Sequence, residues 1–513
     1  MSKLAKTTIG LMIVTIVGKV LGFGRELALS FAYGTTNYSD AYITALNIPM
    51  VIFAAIGAAL ATTFIPLYYE AENNGGINES NKFANNILNI VALICIILSV
   101  IGIFFAYPLV KIFAVGFDGE KLELTVKFTR VLILGIAFIG GANIMTAILQ
   151  IKNNFIIPGL TSIPFNIIII ISIIISSKGN IMIMIWGTLI AMASQFIFQI
   201  PFAYKLGYRY KSYLNLKDKY LNKMIILLGP VFIGVFVNQL NVLIDRTLAS
   251  TLGDGKLSAL NYANRLNGFV IGLFITSIAS VIYPILSKTF SKDNKDQFND
   301  IVVKSINSVI LLIIPVTVGA IVLATPIVKI LFERGAFNHE ATQMTSIALV
   351  YYSIGLIGIG LRDILGKIFY SLKDTKTPMI NGIITVIINI VLNIILVKFM
   401  GHAGLALATS ISSIIGIILL FISLKNKLID FKVFKIVILL IKSIISAIIM
   451  AVITLSVYDI ISNIVGNGFV EDIIILLSSI LSGAIVYLMS IIIFKVEEIN
   501  YIIVKFKNKV LKK

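Results

Sequence analysis

Lys19, Arg25 and Glu26 share one long apolar stretch near the N-terminus, and Arg265 sits in another. A charge at the centre of a bilayer costs at least ~2.5–3.5 kcal/mol on insertion scales. Cations retained there face a cavity or a partner. An arginine fork matches phosphate oxygens in pairs, and a lysine acts on them as a point charge. Lys19, Arg25 and Arg265 therefore read as ligands for a phosphate-like anion. Glu26 and Asp40 complete the candidate set, with a structural pairing to Arg25 and an interfacial position as their simpler readings. Lys19 and Arg25 are six residues apart, about 120° around a straight helix. Gly18, Gly22 and Gly24 permit either a bend that aims both cations one way or close helix packing. A second group has oxygen donors only. Asn389 and Asn393 share a helix face, and with Thr409 and Asp245 they can either ligate a hard cation or hydrogen-bond between helices.

The elements that carry these residues span a membrane. Of the 513 residues, 58% are hydrophobic and 13% charged, about half the charged share of a soluble domain. Apolar runs of about 20 residues recur along the chain. Runs such as 166–175 and 383–397 show no alternation, so helices rather than barrel strands are expected. The sequence predicts an all-α polytopic membrane protein of about 14 transmembrane helices, near 8–32, 40–69, 84–113, 125–151, 155–177, 180–204, 223–250, 258–287, 302–331, 342–371, 378–398, 401–424, 434–457 and 470–494. The N-terminal segment reads as the first span and not as a cleaved signal. Cys95, the one cysteine, falls inside a span, so a disulfide is excluded. His339 and His402 fall in short loops.

The net charge of +18 follows the topology. Connections after even-numbered spans carry Lys205, Arg209, Lys211, Lys217 and Lys219, then Lys288, Lys292 and Lys295, then Lys373 and Lys376, then Lys425, Lys427 and Lys432. The tail adds Lys505, Lys507, Lys509, Lys512 and Lys513. Connections after odd-numbered spans hold little more than Lys121, Lys178, Lys256 and Arg334. The bias predicts both termini in the cytoplasm, and it assigns the basic charge to membrane headgroups and not to nucleic acid.

The chain also repeats itself at about 220 residues. Pro108–Phe113 returns as Pro326–Leu331, Phe64–Leu67 as Ile282–Ile285, the Lys152…Pro158 connection as Lys373…Pro378, and Arg25 with Ala32-Tyr33-Gly34 as Arg246 with Thr251-Leu252-Gly253. Six spans per repeat preserve orientation, so the halves are parallel repeats with room for a substrate between them. The expected organisation is a six-helix bundle over 1–217, a second over 218–428, and two additional helices with a basic tail over 429–513. Outer connections are short, which argues against a membrane glycosyltransferase. A drug exporter for organic cations calls for carboxylates where this chain places cations.

The segments Val20–Glu26, Asp40-Ala41-Tyr42, Leu260–Arg265, Leu331–Phe337 and Phe369–Pro378, in that order, resemble the MurJ/MviN family of the multidrug/oligosaccharidyl-lipid/polysaccharide exporter superfamily. The resemblance extends over essentially the whole chain. It implies two six-helix bundles plus two helices, alternating access, and outward flipping of the undecaprenyl-diphosphate-linked peptidoglycan precursor, lipid II, across the bacterial cytoplasmic membrane. An exporter of another polyprenyl-linked polysaccharide is the alternative. It places cavity cations on Lys19, Arg25 and Arg265, with lysine at 19 where the family often has arginine. It places a sodium site on Asp245, Asn389, Asn393 and Thr409, with no other cofactor. The expected partners are lipid II and membrane lipids, and the expected state is a monomer.

Overall fold

The computed structural model describes residues 3–291, 295–428, 431–466 and 468–498. Lys292 and the five tail lysines named above lie outside them. Among the described residues all regular secondary structure is helical. The first half holds α1 (Lys3–Tyr33), α2 (Asn37–Phe104), α3 (Ala106–Phe113), α4 (Gly119–Leu132), α5 (Gly135–Ile151), α6 (Ile156–Leu160), α7 (Ser162–Ser176) and α8 (Met182–Lys205). The second holds α9 (Lys219–Ser250), α10 (Lys256–Ser291), α11 (Lys295–Val322), α12 (Ala324–Phe332), α13 (His339–Ile354), α14 (Leu356–Ser371), α15 (Lys376–Met400) and α16 (His402–Lys427). Two more follow, α17 (Val433–Ile464) and α18 (Phe469–Ile493).

Every expected span falls on a helix or on a consecutive pair. Among the described residues, eight helical stretches are long and apolar enough to cross a membrane, and ten if the bent pairs α4–α5 and α13–α14 each count as one span. Other expected spans, on α1, α9 and α10, carry the charges singled out above. α2 runs through the expected second connection and is broken only at Gly76, where φ is +70°.

The sequence repeat is also a repeat of defects. Phe105 and Leu323 interrupt the third and ninth spans with nearly the same backbone angles (φ −96° and −105°, ψ 20° and 18°). The fourth and tenth spans bend by 41° and 43°. Asn153 and Lys373 both take φ +59° and end their helices alike. The next amide in each case, Asn154 or Asp374, reaches back to Leu149 O or Phe369 O at 2.9 Å, which satisfies a carbonyl the helix end leaves open.

Two compact units emerge, Met1–Ser258 with Arg334–Phe337, and Ala259–Glu333 with Asn338–Lys513. In the first, α2 packs on α4, α5 and α9, and α7 packs on α1 and α8. α9, the opening helix of the second repeat, thus keeps its contacts with the first. In the second unit α15 pairs with α16, and α17 pairs with α18 and lies against α11. Its core gathers Ile275, Ile306, Ile313, Leu361, Ile417 and Leu439. Lipid tails are as apolar as leucine, so small residues set these contacts. Gly187 lies against Ser172, Gly416 against Thr385 and Gly483 against Thr454, each with no room for a Cβ.

Candidate functional site

α1 is one continuous helix through Gly18, Gly22 and Gly24. Gly18 serves packing: a Cβ there would lie 2.5 Å from Ser162 Oγ on α7. Seated on α7, α1 holds Arg25 with only 14% of its side chain exposed. Its Nη2 donates to Glu26 Oε1 at 2.9 Å, and Glu26 is 6% exposed. The guanidinium also lies 5.7 Å from the centre of the Phe165 ring of α7. Desolvating both ions is expensive, and their attraction offsets it only in good geometry with further hydrogen bonds. One ion pair and one ring contact leave most of the five arginine N–H donors for an incoming anion. Lys19, less than two turns earlier, is half-buried.

Asp40 is fully buried, and both its oxygens are engaged. Oδ2 accepts from Lys121 Nζ at 2.7 Å and from the Gly255 amide at 2.9 Å. Oδ1 accepts from the Ser258 amide at 2.8 Å. Lys121 is 8% exposed, also meets Asp254 at 3.2 Å, and sits 4.3 Å from the Phe117 ring centre. Asp40 thus ties the start of α2 to α4 and to the α9–α10 turn, all within the first unit. The same end is closed by backbone. Ala336 N donates to Phe31 O at 2.9 Å. Gly34 and Gly335, at φ +56° and +61°, leave no space for a Cβ against Ala336 O and Phe31 O. The segments 251–258 and 334–337 come from the second sequence repeat yet close onto the first.

Asp245 and Arg246 are half-buried on α9, and Arg265 is exposed on α10. Arg130, Arg362 and Asp363 are exposed, and Lys367 lies over Tyr283 at 5.4 Å. The proposed cation ligands divide between the units: Asp245 belongs to the first, and Asn389, Asn393 and Thr409 to the second. Asn393 Nδ2 donates to Asn389 Oδ1 at 3.0 Å, with both residues buried. Asn389 Nδ2 is buried without a hydrogen-bond partner. Flipping both amides keeps their mutual bond and turns an Asn389 oxygen to that position, so the pair fits a hard cation in that orientation. Thr409 donates to Leu405 O at 3.1 Å, which leaves its hydroxyl lone pairs for a ligand. No cluster of three His, Cys, Asp or Glu occurs among the described residues, and His402 bonds Met344 O at 3.0 Å.

Sequence reasoning missed Lys121 as a partner of Asp40, along with Gly255 and Ser258. One signal was available. Lys121 is among the few cations on the lysine-poor side, where a buried carboxylate explains its presence.

The lipid II flippase MurJ family model matches residues 29–477. The probable lipid II flippase MurJ of Buchnera aphidicola subsp. Baizongia pistaciae is 30% identical over 81% of this chain and 82% of its own. That of Buchnera aphidicola subsp. Schizaphis graminum is 29% identical over 98% and 99%. Among solved structures, a lipid II flippase MurJ in an inward closed conformation is similar with TM-score 0.81 and 30% identity, over 96% of this chain and all of that one. An inward-facing multidrug resistance MATE family transporter of the MOP superfamily shares the fold alone, with TM-score 0.69 at 16% identity over 82% of this chain and 98% of that one. The helices, the paired defects of the two repeats and these matches agree: the chain belongs to the lipid II flippase MurJ family.

Proposed function

We propose that this protein carries lipid II from the cytoplasmic to the outer leaflet of the bacterial cytoplasmic membrane by alternating access, as a transporter and not an enzyme. The observation that carries the reading is the buried Arg25–Glu26 pair on α1, in a chain whose full length resembles a lipid II flippase. Arg25 has unused donors in a dry setting, where a diphosphate is bound strongly. Glu26 balances Arg25 while no substrate is present and yields to the doubly charged group. Lys19 adds a point charge nearby, and Arg265 supplies a guanidinium from the other repeat. The lysine distribution supports cytoplasmic termini. An inside-negative potential drives an anion outward, by about 4.6 kcal/mol per 100 mV for two charges crossing fully.

The Asp40 cluster binds turns of the second repeat to the end of α1 and the start of α2, all within the first unit, and its release is proposed as one step of the cycle. Sodium is proposed as the coupling ion, with Asn389, Asn393, Thr409 and Asp245 as the residues that would hold it. The buried Asn389–Asn393 pair, flipped so that an Asn389 oxygen takes the unpartnered position, supports this, and replacing sodium by potassium in a transport assay tests it.

Complementation tests the main reading. A bacterium depleted of its own flippase receives this chain, and lipid II on the outer leaflet is followed. Rescue by the unaltered chain and none by Arg25→Ala is the expected result. A correctly inserted chain that fails to rescue would point instead to another polyprenyl-diphosphate glycolipid.

A further inference from the structure

We propose that the connection between the two repeats seats an anionic bilayer phospholipid, with one acyl chain held in an apolar pocket of the first unit. The pocket, of about 420 Å³, lies between α2, α5 and α8 and is walled by Leu88, Ala92, Phe138, Met145, Phe196 and Ile200. Its volume falls within the ~300–1,000 Å³ of small-ligand sites. Tyr204, Tyr208 and Tyr210 form its rim. Apolar walls of this kind offer water few partners, and in a bilayer the available filler is a lipid chain.

The rim is built, not incidental. Three asparagines of α2 grip the non-helical connection after α8. Asn85 donates to Arg209 O at 3.2 Å and accepts from Tyr208 OH at 2.6 Å. Asn86 donates to Asn215 O at 2.9 Å and accepts from its amide at 2.7 Å. Asn89 donates to Tyr213 O at 2.9 Å and accepts from Tyr210 OH at 2.8 Å. The polar atoms around the mouth are thereby consumed, which leaves the walls apolar.

Outside this rim the connection presents cations. Lys205, Arg209 and Lys211 are exposed, and residues 205–217 contain no acid. Arg209 is fixed over the mouth, donating to Tyr208 O at 2.9 Å and lying 5.5 Å from the Tyr204 ring centre. Leu206, Leu214 and Leu216 are 38%, 54% and 63% exposed, as suits a segment resting in the headgroup layer. An apolar slot, an aromatic rim and an acid-free cationic edge match a single phosphate-bearing lipid: chain inward, negative headgroup on the lysine and arginine side chains.

The test uses the full chain in vesicles holding a trace of phosphatidylglycerol with a photoreactive acyl chain, and separately the same probe on phosphatidylcholine. Labelled peptides are mapped after illumination. Phosphatidylglycerol should label α2, α5 and α8 at the pocket well above phosphatidylcholine. Each of Lys205→Gln, Arg209→Gln and Lys211→Gln should reduce labelling about fivefold, the equivalent of ~1 kcal/mol per cation near an anionic surface. Ala92→Phe should remove labelling at the pocket while leaving it elsewhere. Equal labelling by the two lipids in the unaltered chain, which needs no variant to fold, would overturn the proposal. So would loss of the label on adding a polyprenyl diphosphate at the probe's concentration, which would assign the pocket to the transported lipid.

Discussion

Replacing Asp40 by asparagine changes one atom, and its effect can be worked through contact by contact. The amide keeps an oxygen for the Ser258 amide. It sets an NH₂ against the Gly255 N–H and the Lys121 ammonium, both donors. A hydrogen bond to a charged group contributes about 1.5–3 kcal/mol, and Lys121, only 8% exposed, loses its nearer counter-ion. Asp254, 66% exposed at 3.2 Å, offsets part of that. The net loss to this tie is about 3 kcal/mol, or roughly 150-fold in the ratio of its tied to its released state. Ser250 reports this opening. It is 3% exposed, and its Oγ accepts from the Gly116 amide at 3.1 Å. The native Cys95 is fully buried, so Ser250→Cys provides a single reactive thiol. With opening faster than labelling, the alkylation rate follows the open population. Asp40→Asn should accelerate it by about two orders of magnitude. An unchanged rate would refute the assignment of Asp40 as the tie that holds this end shut.

Three further outcomes follow from the same geometry. Arg25→Ala removes the cation paired with the buried Glu26 carboxylate, so the melting temperature should fall, and adding Glu26→Ala should recover part of it without restoring transport. Gly34→Ala puts a Cβ into Ala336 O at φ +56°; strain of ~1–2 kcal/mol and the lost closure should appear as a lower melting temperature and faster labelling at Ser250→Cys. Asp374 sits in the α14–α15 turn, where burial pushes its carboxyl up but hydrogen bonds from Lys427 and Thr377 prevail and hold it at about 2, against an ordinary 3.8. The folded value lies below the unfolded one, so this contribution is present above 3.8 and lost as the pH falls toward 2. Protection of the Thr377 amide, taken relative to its intrinsic exchange rate at each pH, should fall across that window, and Lys427→Ala should move the window upward.

Much of the fold is legible in the sequence because lipid imposes one strong rule, that a span must be apolar and helical. The run lengths locate the helices, and the echo of Pro108–Phe113 in Pro326–Leu331 marks two short helices set off by matched breaks. The breaks at Phe105 and Leu323 each stand three residues before a proline, Pro108 or Pro326, which cannot donate to Phe104 O or Val322 O at the end of the preceding helix; that these prolines break the helix while Pro49 and Pro66 lie within α2 is not legible. Nor is the assignment of α9 to the first compact unit, which depends on contacts with α2 that no local pattern encodes. At the site, Arg25 and Glu26 were visible as charges in an apolar run, and their pairing follows from adjacency. Asp40 was visible as well. Its partners were not, because Lys121, Gly255 and Ser258 lie 81 to 218 residues away. The asparagines 85, 86 and 89 gave no signal, as amides near a helix end are ordinary.

Flipping itself is the most direct test. Purified protein in vesicles with fluorescent lipid II should render the inner-leaflet pool accessible to an impermeant quencher, faster under a potential negative on the donor side. Arg25→Ala, correctly folded, should slow this about 100-fold, as expected from losing ~3 kcal/mol of charged hydrogen bonding. Transport by Arg25→Ala at the unaltered rate, or no transport of lipid II by the intact chain, would contradict the account.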